Sequence, residues 1–194
     1  EDDSVGKIAD SLRVAFRTKN GRTVYDGGGI SPDVEVEKSM IPPILLSLDN
    51  KNLLFEYANK YTAEHPSPKS AREFKMTEAE YQEFVKWLVN KDYDYTTQVE
   101  KTVEDLIAHA KKEKYYEDIQ EQIKALKNKI YHNKDSDLQK FKADVREALE
   151  EEIAARYFLE KGMKESSFDN DKELKAAIDV LNDPARYNKL LNRK

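Results

Sequence analysis

Serine–lysine pairs are the first residues in this sequence whose spacing could support covalent chemistry, because a nearby lysine can activate a serine hydroxyl. Two pairs stand at helical spacing, Ser47 with Lys51 and Ser136 with Lys140. The chain has 33 lysines and arginines among 194 residues, so such pairs are expected by chance. We interpret Ser136 as a helix cap and Ser47 as part of a short exposed turn, and we predict no dyad at either position.

The histidines offer little for acid–base or metal chemistry. His65 precedes a proline in a predicted linker, while His109 and His132 fall on or at the end of polar helix faces. Asp105, His109 and Glu113 share a helix face at spacings of four residues and could bind a metal weakly. A metal-binding helical protein centred on His109 is therefore an alternative hypothesis.

Three other patterns are interpreted as structural. The loop Gly27–Gly29 lacks the spacing of a phosphate-binding loop and predicts a turn. The acidic run Glu150–Glu152 is typical of a solvated helix face. At the doublet Tyr115–Tyr116 one ring is expected to be partly exposed, since adjacent helical positions face about 100° apart. From the residues alone we predict no catalytic, cofactor-binding or metal-binding residue.

Composition excludes several functional classes. The 38 acidic residues outnumber the 33 basic ones and give a net charge of -5, so no basic surplus is available to bind nucleic acid. The chain has no cysteine, which excludes disulfides and thiolate chemistry. No apolar run approaches the roughly 20 residues that span a bilayer, so an integral membrane protein is not expected.

Glycine and proline divide the chain into a turn-rich head and a helical body, with the boundary near Lys38–Pro43. In the head, Leu12–Thr18 and Thr23–Tyr25 are predicted to form a hairpin through a type I′ turn at Asn20–Gly21. The alternating segment Asp33–Glu37 predicts a third strand. So few strands make a poor independent sheet, and we expect their neighbours to lie outside this chain.

The body is predicted to be a series of amphipathic helices, because apolar residues recur at spacings of three and four throughout. Thr77 and Thr97 each precede a glutamate by three residues, which is the capping-box pattern. Gly162 is predicted to end the longest helix as its C′ residue. The fold class is therefore mainly α, a multi-helix domain preceded by a short β-hairpin. The other predicted helices cover Ile44–Leu46, Asn52–His65 and Tyr115–Ile130, and start at Asp135 or Ser136, at Asp169 or Asn170, and at Asp183–Pro184.

The head resembles a segment of the carboxyl-terminal processing (tail-specific) serine peptidases, in the version found in Bacteroidetes-type members. The stretch Phe16–Val36 carries the family's "Gly-Arg … Gly-Ile-x-Pro-Asp" signature. In the body, Phe55–Asn59, Phe84–Leu88 and Ile153–Tyr157 are similar to the family's C-terminal helical extension. The residues that match the signature are Gly21, Arg22, Gly29, Ile30, Pro32 and Asp33.

This resemblance implies a parent hydrolase with a Ser–Lys dyad and a PDZ domain that docks substrate C-termini. Both would precede the matched segment, so no catalytic residue carries over. We expect residues 1–37 to be a remnant of the protease core and residues 38–194 to be a helical C-terminal domain that scaffolds the parent and could bind substrates or an adaptor. The chain opens Glu1-Asp2-Asp3, which we interpret as a piece of a longer protein.

The implied partners are the rest of the parent protease and its protein or peptide substrates, and self-association through orphan strands stays open. The implied location is periplasmic or at the cell envelope. No cofactor is implied, and the fragment itself is expected to be inactive. The alternative from another functional class is a free-standing helical interaction module without protease activity.

Overall fold

A computed structural model describes residues 12–26, 32–130 and 134–192 of the chain. These residues fall into two compact units. Unit 1 combines the chain up to Ser39 with the residues from Asp169 onward, and unit 2 runs from Met40 to Phe168. The assignment of residues 1–37 to a protease core and of 38–194 to a single helical domain stays a prediction.

Unit 1 contains the predicted hairpin. Strand β1 (Ala15–Arg17) pairs antiparallel with β2 (Thr23–Tyr25), in the register that places Phe16 opposite Val24. Both strands are exposed along their whole length. The hairpin is therefore confirmed, and within the described residues each of its strand residues stays exposed.

The turn of the hairpin differs from the predicted type I′ turn. The amide of Gly21 donates to the carbonyl of Thr18 at 2.9 Å, and the amide of Thr18 donates to the carbonyl of Arg22 at 2.8 Å. Gly21 has a φ of 76°, whereas Asn20 is not among the residues with positive φ. A turn closed by one left-handed glycine is the pattern of a longer hairpin loop with a bulge, which needs positive φ at a single residue.

The predicted third strand is wrong. Residues 33–37 pair with no strand in the described part of the chain. The alternating pattern is still visible in their exposure, since the two valines are half-buried and the three acidic residues are exposed. An alternating pattern predicts an extended backbone, but a strand also needs a partner edge. Arg22 forms an ion pair with Asp33 and so fixes this segment against the hairpin loop.

The C-terminal helices of unit 1 are α8 (Lys172–Leu181) and α9 (Pro184–Leu190). Asp183 caps α9 as predicted, accepting from the amide of Arg186 at 3.0 Å, and Pro184 follows at the first helical position. The cap of α8 is Asp171 and not the predicted Asp169 or Asn170. Neither helix has a buried residue, so the predicted apolar stripe of α8 is not part of a core.

Unit 2 consists of seven helices in the described residues, and the predicted mainly-α class is confirmed. The helices lie close to the predicted positions, but the helix predicted to run to Gly162 is broken at Phe141 into α6 and α7. Since α6 begins at Lys134, Asp135 and Ser136 lie within it and are not its N-cap, which corrects the prediction. The helices are α1 (Pro43–Asn50), α2 (Leu53–Glu64), α3 (Glu78–Leu88), α4 (Gln98–Lys112), α5 (Tyr116–Ile130), α6 (Lys134–Lys140) and α7 (Lys142–Ser167). Both capping boxes are confirmed, since Thr77 and Thr97 each accept from the amide of the glutamate three residues on, at 3.3 and 3.1 Å.

The core of unit 2 is built by α1, α2, α3, α6 and α7. The stripe predicted on α2 is buried completely, and Tyr81, Phe84 and Leu88 of α3 have no exposed surface. By contrast, α4 and α5 pack chiefly against each other, and on α5 only Ile123 is buried. The other core residues are Ile44, Leu48, Met76, Tyr93, Leu138, Val145, Leu149 and Ile153.

Gly162 does not end a helix, contrary to the prediction. It is buried within α7, and the irregularity lies at Leu159, whose φ of 59° and ψ of -159° interrupt the helix. A Cβ at position 162 would lie 2.2 Å from the Cβ of Phe158 and 3.0 Å from the carbonyl oxygen of Ala154. The glycine is therefore needed for close packing rather than for a left-handed backbone.

Candidate functional site

The junction of α2, α3 and α7 brings together the three helical segments that resemble the peptidase extension. Tyr57 of α2 meets Phe84 of α3 edge to face at 4.9 Å between ring centroids, and lies 5.4 Å from the ring of Trp87. Tyr57 is buried because it stands on the same stripe as Leu53, Leu54 and Tyr61. Edge-to-face rings contribute about 0.5–1.5 kcal/mol beyond their buried area, so this contact fixes α2 against α3.

Arg156 of α7 closes the same junction from the other side. Its guanidinium lies 4.2 Å from the ring centroid of Phe55, its Nε donates to Oδ1 of Asn59 at 2.8 Å, and its Nη1 donates to Glu152 at 2.8 Å. The neighbouring Tyr157 hydroxyl donates to the carbonyl of His65 at 2.8 Å. These contacts attach α7 to both ends of α2.

Glu150 corrects the interpretation of the acidic run as a surface feature. It is only 5% exposed, and its Oε1 accepts from the backbone amide of Met76 at 2.8 Å. Its Oε2 accepts from Nζ of Lys75 at 3.1 Å, and Nε of Arg146 lies 3.4 Å from Oε1. A buried carboxylate with a backbone donor and cationic partners is a structural clamp, and it fixes the segment before α3 to α7.

The position of Glu150 around the helix is the sequence signal that could have predicted its burial. It stands three residues before Ile153 and four before Ala154, and both of these are fully buried. Glu151 is displaced by about 100° around the helix and so leaves that face. Charge alone does not distinguish the two residues.

A hydrogen-bonded pair joins α2 to the start of α3. The Tyr61 hydroxyl donates to Oε1 of Glu80 at 2.5 Å. Burial alone would raise the pKa of the Glu80 carboxyl, but hydrogen bonds from the Thr77 hydroxyl, Tyr61 and the Thr77 amide lower it below its usual value. Burial and the bond to Glu80 raise the pKa of Tyr61. Glu80 is thus a charged acceptor at neutral pH, and Tyr61 stays a neutral donor.

Other tyrosines in the junction also stay protonated near neutral pH. Burial, with a smaller effect from neighbouring carboxylates, raises the pKa of Tyr57 to about 12. Burial likewise raises the pKa of Tyr81, whose hydroxyl donates to the carbonyl of Leu138 at 2.7 Å. Groups that neither gain nor lose a proton in this range act as structural donors and not as general acids or bases.

The serine and lysine residues of the two candidate pairs contact other residues in the structure. Ser47 is buried rather than part of an exposed turn, which corrects the prediction, and its hydroxyl donates to the carbonyl of Tyr93 at 2.8 Å. Nζ of Lys51 binds Asp92 at 2.9 Å. In the second pair, Nζ of Lys140 lies 4.8 Å from the ring centroid of Phe141. Neither lysine is positioned by these contacts as a base for its serine.

The histidines and the glycine loop contribute no site in the described residues. The ring of His65 stacks on Tyr61 at 4.0 Å between centroids. Asp105, His109 and Glu113 are all exposed on or just after α4, and across residues 12–26, 32–130 and 134–192 no three metal-ligating side chains converge. Tyr115 is 61% exposed, as expected for one ring of its doublet. His132, and the loop residues Gly27–Gly29 with Ile30, lie outside the described residues.

Comparison with known proteins identifies this helical array. Residues 44–181 match the family described as the C-terminal helical domain of a probable PDZ-protease. The chain belongs to this family. The match contains the whole α2–α3–α7 junction and leaves the hairpin outside it. No curated protein and no solved structure matches the chain.

Membership in the PDZ-protease helical-domain family confirms the resemblance inferred from the sequence. The three segments that carried the resemblance in the body lie within the match, and they are the ones that meet at the junction. Among the described helices, none combines the length and apolar composition required to cross a bilayer. What the junction can do chemically is hold three helices in fixed relation.

Proposed function

We propose that this chain is the helical C-terminal region of a carboxyl-terminal processing serine protease, where it braces the catalytic core and the PDZ domain and takes no part in bond cleavage. Two independent features support the proposal. The body belongs to the helical domain of a probable PDZ-protease, and the head carries the peptidase signature in front of that domain.

The observation that carries the proposal is the uncovered apolar face of the hairpin. Phe16 and Val24 stand opposite each other, and Val14 lies two residues before Phe16 on the same face. Val14 and Phe16 are 55% and 53% exposed. A two-stranded sheet is marginal by itself in water, and contiguous exposed apolar side chains mark an interaction surface. We propose that this face packs onto the sheet of the parent protease core.

The ion pair of Arg22 with Asp33 gives the signature a physical role in this proposal. Both residues belong to the matched motif, and their contact holds the segment after the glycine loop beside the hairpin turn. The side-chain amide of Asn192 also donates to the backbone carbonyl of Asn20 at 2.6 Å, so the turn is held at a second point within unit 1. The hairpin is thus presented as a pre-formed element for docking.

We further propose that peptide hydrolysis in the parent depends on a Ser–Lys dyad outside this chain. Polar side chains in unit 2 are engaged in structural hydrogen bonds, as the contacts of Ser47, Tyr61 and Glu150 illustrate. The parent would act on protein or peptide substrates in the periplasm or cell envelope. These are properties that the family resemblance implies for the whole protease.

The decisive experiment compares two hairpin substitutions in the full-length parent protease. Phe16→Asp places a charge on the apolar face, whereas Thr23→Asp places the same charge on the opposite face of the neighbouring strand. We expect Phe16→Asp to lower the melting temperature by several degrees and reduce peptide hydrolysis, since it would bury an unpaired carboxylate. Thr23→Asp should change both much less. Wild-type stability and kinetics in the Phe16→Asp parent would contradict the docking proposal.

A second measurement tests the absence of catalysis in this chain. The purified 194-residue chain should hydrolyse a fluorogenic peptide no faster than buffer at high protein concentration. The active full-length parent serves as the positive control. Cleavage by the isolated chain that a serine-reactive reagent abolishes would show that a catalytic site lies within it.

A further inference from the structure

A groove on unit 2 lies next to the α2–α3–α7 junction, with which it shares Glu152, and it is open to solvent. It lies between the start of α1, the start of α2 and the two halves of α7, and it encloses about 220 Å³. Leu46 at its edge is 47% exposed, and Ile41 is 58% exposed. The apolar side chains that line the groove are Ile41, Leu45, Leu46, Leu54, Ala148 and Met163.

The rim of this groove is acidic. Asp49, Glu151 and Glu152 line it, and no lysine or arginine does so in the part of the chain that the structure describes. Glu152 is paired with Arg156 at 2.8 Å, whereas Glu151 and Asp49 form no ion pair with a described residue. Partial burial, together with the nearby charges of Glu147 and Glu152, raises the pKa of Glu151. The nearby charge of Lys75 opposes this shift, so the fold compensates the negative charge of the rim only in part.

A second groove on unit 2 has a different balance of charged residues in its lining. The cleft between α4 and α5 is also lined by glutamates, Glu100 and Glu104, but it includes Lys127. Nζ of Lys127 lies 2.6 Å from Glu104 and neutralises it. The α1–α2–α7 groove differs because no lysine or arginine is among the described residues that line it.

We propose that the α1–α2–α7 groove docks a peptide segment that combines apolar side chains with lysine or arginine. The apolar floor would take leucine-like side chains, and a cationic side chain would reach Glu151 and Asp49 at the rim. Charge complementarity selects this occupant over others. A second copy of this chain carries a net charge of -5, and an anionic membrane surface would likewise be repelled by the rim.

This inference goes beyond the scaffolding role, because it assigns the helical domain a peptide-binding surface of its own. Scaffolding depends on the hairpin face of unit 1, whereas the groove belongs wholly to unit 2. The two proposals can therefore fail separately. Binding at the groove is measured on the 194-residue chain, and docking of the hairpin is measured in the parent protease.

The test uses three fluorescein-labelled peptides with the same leucine pattern, in which the polar positions are all lysine, all serine or all glutamate. Fluorescence anisotropy with the full chain measures their affinities. We expect the leucine–lysine peptide to bind about tenfold more tightly than the leucine–serine peptide, which corresponds to the ~1.4 kcal/mol of a partly desolvated charge contact. The leucine–glutamate peptide should show no saturable binding.

Two matched substitutions locate the binding site. Glu151→Gln should weaken binding of the leucine–lysine peptide by about threefold to tenfold. Glu121→Gln on α5 removes the same charge from an exposed position away from the groove and should leave the affinity unchanged. Leu46→Ser should weaken both the lysine and the serine peptide, while Leu126→Ser on α5 should weaken neither.

Folding is verified for each variant by circular dichroism, so that a loss of binding is not a loss of structure. An equal effect of Glu121→Gln and Glu151→Gln would show non-specific attraction to an acidic protein and would overturn the proposal. Equal affinities for the lysine and serine peptides, or no saturable binding to the folded wild-type chain, would do the same. A concentration-dependent dimer that Leu46→Ser abolishes would identify a second copy as the occupant and also contradict it.

Discussion

The two units of this protein obey the same local rules but differ in burial. Every buried side chain in the described residues belongs to unit 2, from Pro42 to Ser166. In unit 1 the hairpin has a defined register, and α8 and α9 have side-chain caps, yet none of these elements buries a residue. Capping and turn formation therefore shape both units, whereas in the described residues only unit 2 gains the free energy of fully burying apolar side chains.

The same difference explains why unit 1 carries apolar faces without a core. Ile178 and Leu181 on α8 are 46% and 65% exposed, and Phe16 and Val14 are exposed on the hairpin. In unit 2 the equivalent stripe on α2 is covered by α3 and α7. An amphipathic pattern thus indicates that a face will be covered, but it does not specify whether the cover comes from the same chain.

The largest expected effect separates two phenylalanines, one in each unit. Phe84 has no exposed surface and contacts Tyr57 and Tyr81, while Phe16 is half-exposed. We expect Phe84→Ala to lower the free energy of unfolding by about 3–5 kcal/mol, because it leaves a cavity in a packed ring cluster. Phe16→Ala should cost less than about 1 kcal/mol in the isolated chain.

Urea denaturation followed by circular dichroism measures both changes. The wild-type chain and the double variant complete the comparison, since distant sites should be additive. If Phe16→Ala destabilised the isolated chain as much as Phe84→Ala, the hairpin would contribute to a core and the contrast between the units would be wrong.

A smaller effect distinguishes two glycines that are required for different reasons. Gly162→Ala should destabilise unit 2 by about 1–3 kcal/mol, because its Cβ would overlap Phe158 and crowd the carbonyl of Ala154. Gly21→Ala should cost about 1 kcal/mol through its φ of 76°, with no close atom in the way. Asparagine tolerates the left-handed region, so Gly21→Asn should be the milder change at position 21.

Thermal melts measure the loss at position 162, and hydrogen exchange at Thr18 and Arg22 measures the loss in the hairpin loop. Gly162→Asn should be at least as damaging as Gly162→Ala, since its obstacle is steric. A Gly162→Ala variant with wild-type stability would show that α7 can shift at Phe158 and would contradict the packing role.

The smallest effect concerns the pH dependence of stability at Glu151. Its pKa in the folded chain is raised above the ordinary 4.5, chiefly by burial. Between these two values the folded chain binds more protons than the unfolded chain, so stability falls as the pH rises through that interval. Glu151→Gln should therefore be more stable than wild type at neutral pH, by up to about 0.5 kcal/mol after solvent screening. The difference should vanish in acid.

Glu160→Gln is the matched control because its pKa shift has the opposite sign. A hydrogen bond from Lys164 lowers the pKa of Glu160, so the charged form contributes stability that is lost as the pH falls through the folded pKa. Removing that charge should destabilise the chain slightly at neutral pH. Chemical denaturation over a pH series compares the two variants. If Glu151→Gln were less stable than wild type at neutral pH, the predicted direction of the stability change would be wrong.

Local sequence was sufficient to predict most of the elements of this protein. The capping boxes at Thr77 and Thr97, the cap at Asp183 and the buried stripe of α2 were all predicted from residues within one or two turns. These features depend on spacing along one helix, and the sequence contains that spacing directly. The family was predicted for the same reason, since the motifs are contiguous segments, and the three segments of the body lie within the match at 44–181.

The errors arose where a residue's environment comes from a distant segment. Glu150 and Ser47 were predicted to be exposed, but Met76 and Tyr93 supply their partners from elsewhere in the chain. Gly162 is a different case, since it was interpreted through backbone preference whereas steric contact with Ala154 and Phe158 of the same helix decides its role. The alternating segment 33–37 has no edge to pair with in the described chain.

The amino-acid sequence by itself determined where most of the helices begin, which of their faces are apolar and which family they belong to, because those properties follow from neighbouring residues. Only the tertiary structure decided which faces are covered. It also decided that Glu150 is a buried carboxylate bound to Lys75 and Met76, and that no described lysine or arginine lines the α1–α2–α7 groove. Burial and charge compensation require surfaces that are far apart along the chain, and their meeting is a property of packing rather than of local spacing.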